Sequence, residues 1–414
     1  MEAKKIAILG AGPIGIEAAL YASRLNYNFK VFEKGKVADH VRHWGHVKLF
    51  TPVDLNTSPL GMQILERENL LEGFPQPGEF QTGLDYVNSY LEPLSRSPGL
   101  QGKISPEARV IRVGREKLLK EDYPGADERS KQPFRLLVQQ GNQEFLENAD
   151  IVLDCCGVYS QHRWIGAGGI PAVGERGWQS QISYWLDDIL GSRAAHFADK
   201  TTLLVGAGYS AATSLLSLLE LSKKHPATWV IWAVRGIQSQ PIRRFPSDPF
   251  KERDRLAARV NHLAARCDGN MEFFNHVSVE SLESLGPDKG FKVVAMVQGK
   301  KVQWDVDRVL GLVGYSPDND MYKELQIEED PFTLGTGGMG PALAKVSKGA
   351  LPFGLEMKLE MLKQPEPGYF VLGAKSFGRD SNFFIKNGFN QVREVFNSLS
   401  GEGAVRKAIP QERK

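Results

Sequence analysis

The stretch KKIAILGAGPIGIEAALYASRLNYNFKVFEKG, residues 4–35, decides the fold. An apolar run at 5–9 predicts a strand, and residues 10–15 then spell GxGxxG. An alanine-rich helical segment follows, and a second apolar run ends at Glu33. A lone GxGxxG is weak evidence, but this order of strand, glycine turn, helix, strand and acid predicts dinucleotide binding. The alternative is a glycine turn that has only a structural role.

Each part of this pattern has a mechanical role. Gly10 permits the tight turn, Gly12 lets the backbone approach a pyrophosphate at the helix N-terminus, and Gly15 lets the helix pack closely on the strand. Glu33 follows Gly10 by 23 residues, where a carboxylate can accept hydrogen bonds from both ribose hydroxyls. The remaining residues that we expect in this first site are Pro13, Ile14 and Lys34.

A second copy of the pattern begins at the apolar run 201–205 and continues as GAGYSA at 206–211. Its second strand ends at Arg235, where the first copy has an acid. A cation at this point favours a 2′-phosphate, hence NADP over NAD. Solvated surface arginines are the alternative. We expect this second site to comprise Gly206, Gly208, Tyr209, Ser210, Ala211 (in place of the third glycine), Arg235 and Arg243, with Arg244 nearby.

The two copies are the starts of a longer internal repeat. After the first come strand-like stretches at 109–113, 134–139 and 144–147, and then IVLDCCG, which ends at Gly157. After the second come 271–274, 291–297 and 301–304, and then VDRVLGLVG, which ends at Gly314. The predicted fold is therefore α/β, with two Rossmann-like dinucleotide-binding domains, each carrying an inserted antiparallel β-meander.

Composition excludes several other classes of protein. The 414 residues carry a net charge of only +2, which gives no basic footprint for nucleic acid. Three cysteines without a CxxC cannot form a disulfide framework or a cysteine-based zinc site. The most apolar window, 203–221, is interrupted by Gly, Tyr, Ser and Thr and predicts a strand and a buried helix rather than a membrane span. We expect a cytoplasmic protein with no membrane span.

The paired motifs resemble the two-dinucleotide-binding-domain flavoproteins, which include thioredoxin-reductase-like proteins and flavin-containing monooxygenases. The resemblance implies that the first GxGxxG binds FAD, that the second binds NADPH, and that 367–396 returns to the FAD domain. It implies an FAD domain at 1–165 and 317–414, with the NADPH domain, 190–316, inserted between these two parts. Further cofactor contacts implied by the resemblance are Val110, Cys156, Gly157, Gly314 and Gly373.

The sequence departs from these families at three points. It lacks the CxxC of the disulfide reductases, so the adjacent Cys155 and Cys156 are either small buried residues or a vicinal redox pair. The C-terminal Gly-Asp motif is replaced by Gly-Ala-Lys at 373–375, with Asp380 as the candidate substitute for the acid. The monooxygenase fingerprint FxGxxxHxxxW/Y is absent, and only Tyr184-Trp185 and His196-Phe197 lie in its neighbourhood.

The loop HVRHWGHVKLFTPVDLNTSP, residues 40–59, resembles the segment that lies beside the isoalloxazine in monooxygenase-like members. Trp44 could wall off the flavin, while Arg42 and Lys48 could face its N1–C2=O region, where reduced flavin is negative. His40, His43 and His46 are spaced three residues apart, but Gly45 interrupts any helix that would align them as a metal set. We expect a flavin-lining loop containing Arg42, Trp44 and His46, with ordinary loop packing as the alternative, and no metal.

These observations predict an FAD-dependent oxidoreductase that takes hydride from NADPH. The favoured hypothesis is a monooxygenase that uses O2 on a small-molecule substrate, through a C4a-(hydro)peroxyflavin shielded from water. The alternatives are an NADPH-dependent reductase with a small-molecule or protein acceptor, and a non-catalytic FAD-binding redox sensor. The sequence identifies no catalytic acid or base, and it leaves a homodimer open.

Overall fold

A computed structural model describes residues 4–245, 248–347 and 355–410, with the backbone alone at 346 and 347. The chain divides into two compact units. The first contains the residues up to Gln161 and those from Ser316 onward, and the second contains His162–Tyr315. One unit is therefore inserted into the other, as the resemblance implies. No helix in the described ranges has both the length and the apolar character needed to cross a bilayer.

The chain opens with the strand, helix and strand that the first glycine motif predicts. The helices and strands before the second unit are β1 Lys5–Leu9, α1 Pro13–Arg24, β2 Asn28–Phe32, α2 Asp39–His43, α3 Val53–Asn56, α4 Pro59–Arg67, α5 Gly83–Tyr86, α6 Glu92–Ser95, β3 Ile104–Ser105, β4 Ala108–Arg115, β5 Phe134–Gln140, β6 Gln143–Ala149, β7 Ile151–Asp154 and β8 Gln161–His162. Those of the second unit are α7 Ala194–Phe197, β9 Thr201–Val205, α8 Tyr209–Ser222, β10 Trp229–Ala233, α9 Lys251–Arg266, β11 Met271–Phe274, β12 Val277–Ser284, β13 Phe291–Val297, β14 Lys300–Val306 and β15 Arg308–Gly311. The remainder are β16 Tyr315–Ser316, α10 Gly340–Ser347, β17 Tyr369–Val371, α11 Ala374–Phe377, α12 Ile385–Ser400 and α13 Glu402–Ala408.

The first unit is built on a five-stranded parallel sheet in the order β17-β7-β1-β2-β3. On one face of the sheet, α1 and α12 bury apolar side chains that include Ile16, Leu20 and Phe396. The other face is covered by the antiparallel meander β4-β5-β6, whose core includes Phe134 and Leu136. Burial on both faces explains why β1 and β7 read as nearly continuous apolar runs.

The second unit repeats this plan with a four-stranded parallel sheet in the order β11-β10-β9-β15. Helices α8 and α9 cover one face, and the meander β12-β13-β14 lies against the other. Trp232 is completely buried on the helical face. The two sheets and two meanders confirm the predicted fold class.

One strand assignment in the second half is wrong. The sequence predicts Met271–Phe274 as the first strand of the meander, but this segment pairs parallel to β10 as the edge strand of the main sheet. The first strand of the meander is Val277–Ser284, which the sequence pattern did not reveal. A bulge between Val279 and Ser281 shifts the register and interrupts the alternation of apolar and polar residues along it.

Candidate functional site

The first glycine turn has the predicted geometry. Gly10 adopts φ +94°, which favours glycine, and its N–H donates to the Phe32 carbonyl at 2.7 Å. A Cβ on Gly15 would lie 1.8 Å from the Gly10 carbonyl oxygen, so α1 reaches the turn only because this residue has no side chain. A Cβ on Gly12 would meet nothing within 4 Å. The space above Gly12, at the N-terminus of α1, is therefore open to a ligand.

Glu33 lies beside this turn with its carboxylate already oriented. Its two oxygens accept from the backbone N–H groups of Ala11 at 2.7 Å and Gly35 at 2.9 Å. The side chain is buried, and burial raises its pKa from the usual value. Each carboxylate oxygen retains a second lone pair for a ribose hydroxyl. Lys34 points elsewhere, since its ammonium donates to the Ser160 hydroxyl at 2.8 Å.

The ends of neighbouring strands bring further predicted residues to the same edge of the sheet. β1, β7 and β17 run parallel, so 10–15, 156–157 and Gly373 all follow carboxyl ends. Gly373 has φ +70°, and a Cβ on it would lie 3.1 Å from Cγ1 of Ile14. Val110 and Cys156 belong to one apolar cluster on the meander face. The structure thus gathers most of the predicted first-site residues around one turn.

This edge fits the FAD that the resemblance implies. The open space above Gly12 suits a pyrophosphate, and no acidic residue lies in the first turn of α1 to repel it. The buried carboxylate of Glu33 suits the ribose of an adenosine. The fit comes from residues of the first unit alone.

The second glycine turn has the same design with one change. Gly206 adopts φ +144°, and a Cβ on it would lie 2.3 Å from the Leu312 carbonyl oxygen. The Gly206 carbonyl accepts from the indole N–H of Trp232 at 2.9 Å, which anchors the turn. Ala211 is fully buried at the helix–strand contact, so its methyl is accommodated as predicted. Gly208 has open space above it, as Gly12 does.

The three arginines considered for the 2′-phosphate differ in how far other groups already engage their side chains. Arg235 is exposed just beyond β10. The backbone carbonyl of Arg243 accepts from the Tyr209 hydroxyl at 3.1 Å, and its guanidinium lies 4.7 Å from the Phe245 ring centroid. Arg244 forms a bidentate pair with Asp254 at 2.7 and 2.8 Å. Of the three, Arg244 is the least suited to a phosphate because a carboxylate already occupies its fork.

The remaining second-site residues lie where the turn requires. Ser210 follows Tyr209 in the first turn of α8. Gly314 has φ +91°, three residues after β15 ends, and its carbonyl accepts from the Arg163 N–H at 2.9 Å. Their contacts with a nucleotide stay predictions.

Arg42 and Trp44 of the loop 40–59 contact residues outside the loop, which the sequence alone does not indicate. Arg42 pairs with Glu92 at 2.7 Å, and its Nε donates to the Val37 carbonyl. The Trp44 ring packs on Gly83, where an added Cβ would lie 2.6 Å from the indole. His46 is exposed. The geometry directs Arg42 toward Glu92, so the flavin-lining role of these residues stays a prediction. Within 4–245, 248–347 and 355–410 no three His, Cys, Asp or Glu side chains form a metal-binding group.

At the altered C-terminal motif, a lysine is the residue that sequence reasoning missed. Lys375 is buried, and its ammonium contacts the buried Asp154 carboxylate at 2.5 Å. The same oxygen accepts from the Tyr369 hydroxyl at 3.0 Å. This ion pair joins the segment after β17 to the end of β7. Asp380 lies in the loop beyond α11, where its carboxylate accepts from the backbone and side chain of Asn382.

The cysteines are poorly placed for thiol chemistry. Cys155 is buried and Cys156 half-buried, and both are free thiols. Burial, followed by the charge of Asp154, raises the pKa of both thiols well above the usual value. The thiolate that disulfide exchange needs is therefore disfavoured at both positions.

Comparisons with solved structures agree with the overall fold. The bacillithiol disulfide reductase Bdr from Bacillus cereus superposes with a TM-score of 0.67 at 16% identity, over 96% of this chain and 98% of that chain. An ornithine N-hydroxylase from Kutzneria, solved with reduced FAD, NADP+ and L-ornithine, gives 0.65 at 13% identity, over 96% and 99%. A thioredoxin reductase from Lactococcus lactis gives 0.58 at 15% identity, over 98% and 99%.

No protein-family model matches the sequence, and no curated protein matches it. The structural likenesses cover nearly the whole chain at low identity, so they establish the fold. It is the fold of two-dinucleotide-binding-domain flavoproteins, as the paired glycine motifs indicate.

Proposed function

We propose that this chain is an FAD-dependent oxidoreductase that is reduced by NADPH. The observation that carries the proposal is the pair of glycine turns, each with open space above its second glycine at a helix N-terminus. A protein that binds only one dinucleotide needs only one such turn. Two turns on two sheets fit a protein that binds an electron donor and a flavin together.

In the first unit, the α1 N-terminus would hold the FAD pyrophosphate and Glu33 the adenosine ribose. Bound FAD supplies the hydride and electron chemistry, while the protein supplies binding and orientation. Gly373 closes on Ile14 at the same edge, so the C-terminal segment helps to shape this site. In the second unit, the α8 N-terminus would hold the NADPH pyrophosphate, with Arg235 and Arg243 near the 2′-phosphate.

The burial of the two adjacent cysteines favours an electron acceptor that reacts with the flavin directly, without a protein dithiol between them. A disulfide reductase that relays electrons through its own dithiol needs an accessible thiolate, and burial works against one at Cys155 and Cys156. The third cysteine, Cys267, is exposed at the end of α9 in the other unit. We therefore favour a monooxygenase that uses O2 on a small molecule, in keeping with the likeness to an ornithine N-hydroxylase.

The second candidate is a reductase that passes electrons from the flavin to a small-molecule or protein acceptor. The likeness to a bacillithiol disulfide reductase, with the TM-score of 0.67, favours it. A non-catalytic FAD-binding sensor is the third. A sensor of this kind would contain bound FAD that NADPH does not reduce.

Oxygen reactivity separates the first two candidates. The FAD-loaded protein is reduced anaerobically with NADPH and mixed with oxygenated buffer in a stopped-flow instrument. For a monooxygenase we expect a transient near-ultraviolet absorbance before the oxidised flavin spectrum returns. Slow, direct reoxidation without that transient would overturn the monooxygenase assignment and leave the reductase.

A further inference from the structure

The second unit contains a large groove that the two glycine turns do not use. It has a volume of about 1050 Å³, and all of its lining residues belong to this unit. One wall is the segment from Arg176 to Trp185, and the other includes the β12–β13 hairpin tip, Asp307 and Arg308. The groove therefore contains Tyr184-Trp185 and His196, which the sequence singled out without assigning a role.

The groove begins at the opposite end of the sheet from the glycine turn. Arg308 is the first residue of β15 and pairs with Thr202 near the start of β9, whereas Gly206 follows the end of β9. Thr202 and Gly206 are four residue steps apart along the strand, or about 13 Å. A molecule held by Arg308 is thus separate from a nucleotide pyrophosphate at Gly208.

The wall that carries Arg176 is rigid. The neighbouring Glu175 is completely buried, and its carboxylate accepts from the backbone N–H groups of Ile165 and Ala172 at 2.9 and 2.8 Å. It also accepts from the Tyr184 hydroxyl at 2.8 Å. Three hydrogen bonds to one buried carboxylate fix the backbone from which the Arg176 side chain extends.

Charge in the groove is incompletely balanced. Arg308 donates to the backbone carbonyls of His196 at 3.0 Å and Asp307 at 2.9 Å, which orient its guanidinium without neutralising it. The Asp307 carboxylate is used elsewhere, by the Thr201 N–H at 2.8 Å and the Lys200 ammonium at 3.7 Å.

Two other charged groups change this balance little. Arg193 lies 3.6 Å from Asp187, so those two charges offset each other. Among the described lining residues, this leaves the Arg176 and Arg308 guanidiniums against Asp288 on the exposed hairpin tip.

The imidazole of His196 also lines the groove. Burial first, and then the charges of Arg193 and Arg308, lower the pKa of its imidazole from the ordinary value, while the charge of Asp187 acts in the opposite direction. The guanidinium of Arg308, held beside His196 by the hydrogen bond to its carbonyl, disfavours a second cation at this end of the groove and favours an anion.

We propose that this groove binds a small molecule bearing a phosphate or carboxylate group, which Arg176 and Arg308 would hold. The guanidinium fork of arginine suits either oxyanion. The volume of the groove is larger than a simple anion needs and is in the range of pockets that bind small-molecule ligands. Trp185 and Phe291 also line the groove and would contact the rest of such a molecule. This site does not depend on the redox activity proposed above.

Calorimetric titration tests the proposal with two probes, inorganic pyrophosphate and citrate. The FAD-loaded protein is titrated in saturating NADP+, so that the glycine turn of the second unit is already occupied. We expect one equivalent of probe to bind, and the tighter probe identifies phosphate or carboxylate as the preferred group. No binding of either probe would overturn the proposal.

Three variants locate the binding. Arg176→Gln, at an exposed position, should weaken the probe about fivefold, and adding Arg308→Gln should abolish binding. Arg266→Gln removes an exposed charge at the end of α9 and should leave the affinity unchanged. Arg235→Gln should also leave it unchanged. If Arg235→Gln abolishes binding while Arg176→Gln does not, the probe binds at the nucleotide site and the groove assignment is wrong.

Discussion

Gly12→Ala should remove FAD while leaving the fold intact. Gly12 has φ −79° and ψ −171°, which alanine adopts readily, and the new methyl would meet no protein atom within 4 Å. It would instead occupy the space proposed for the pyrophosphate. We expect FAD affinity to fall at least about 100-fold, which corresponds to about 2.7 kcal/mol. The change at the N-cap should cost the apoprotein only about 1 kcal/mol.

The assay compares the FAD-to-protein ratio after purification and the dissociation constant from fluorescence titration of the apoprotein. Gly208→Ala is the matched control, since Gly208 has the same open space in the second unit and φ −98°. It should retain FAD and lose NADPH binding. Circular dichroism should show both variants folded. A Gly12→Ala protein with a full complement of FAD would refute the placement of the pyrophosphate.

Three further predictions follow from individual side chains. Arg235→Ala should raise the KM for NADPH about tenfold and leave that for NADH unchanged, and steady-state kinetics with equal effects on both would remove the 2′-phosphate assignment. In an anaerobic titration, the wild type and Cys155→Ala with Cys156→Ala should both take up one equivalent of NADPH per flavin. A second equivalent that the wild type takes up and the variant does not would restore the vicinal redox pair. Glu17, whose carboxylate accepts from Ser58, has its pKa raised by burial to about 7. The stability linked to its proton is fully present below pH 4.5 and is lost as pH rises through about 7, a loss of up to about 3 kcal/mol in the free energy of unfolding. Glu17→Gln cannot lose this proton, so its thermal stability should fall less over this pH range than that of the wild type. The same pH profile for both proteins would contradict the buried acid.

The parts of the site that follow from local chemistry were predictable. A glycine turn between a strand and a helix has few mechanical solutions, so the roles of Gly10, Gly15 and Ala211 could be stated from spacing alone. The structure confirms all three through the contacts that a Cβ would make or does make. The insertion of one unit into the other was implied by the family resemblance, not by the repeats themselves.

Long-range pairs could not be predicted from the sequence. Lys375 and Asp154 are 221 residues apart, and no local pattern relates them, although a carboxylate in the apolar run IVLDCCG is a signal that it needs a partner. Arg129 lies in a polar segment that reads as an exposed connection. In the structure it is buried against Glu366, 237 residues away. Such pairs form only in the tertiary fold, and no repeat or residue spacing in the sequence indicates which two residues will meet.

The bulged strand was missed for a different reason. Val277, Val279 and Leu282 face the core, and the bulge shifts the spacing from two residues to three. A search for strict alternation therefore ends at Val279. Met271–Phe274 was found, but its parallel partner could not be inferred from its own residues.

Anaerobic reduction by NADPH tests the central claim most directly. The purified protein, with its FAD content measured, is mixed with NADPH under nitrogen while the visible flavin absorbance is followed. If one unit binds FAD and the other presents NADPH to it, the yellow absorbance should bleach with one equivalent of NADPH, and Gly208→Ala should prevent this. Bound flavin that stays oxidised in excess NADPH would contradict the account, and a protein that binds no flavin would contradict it at its first step.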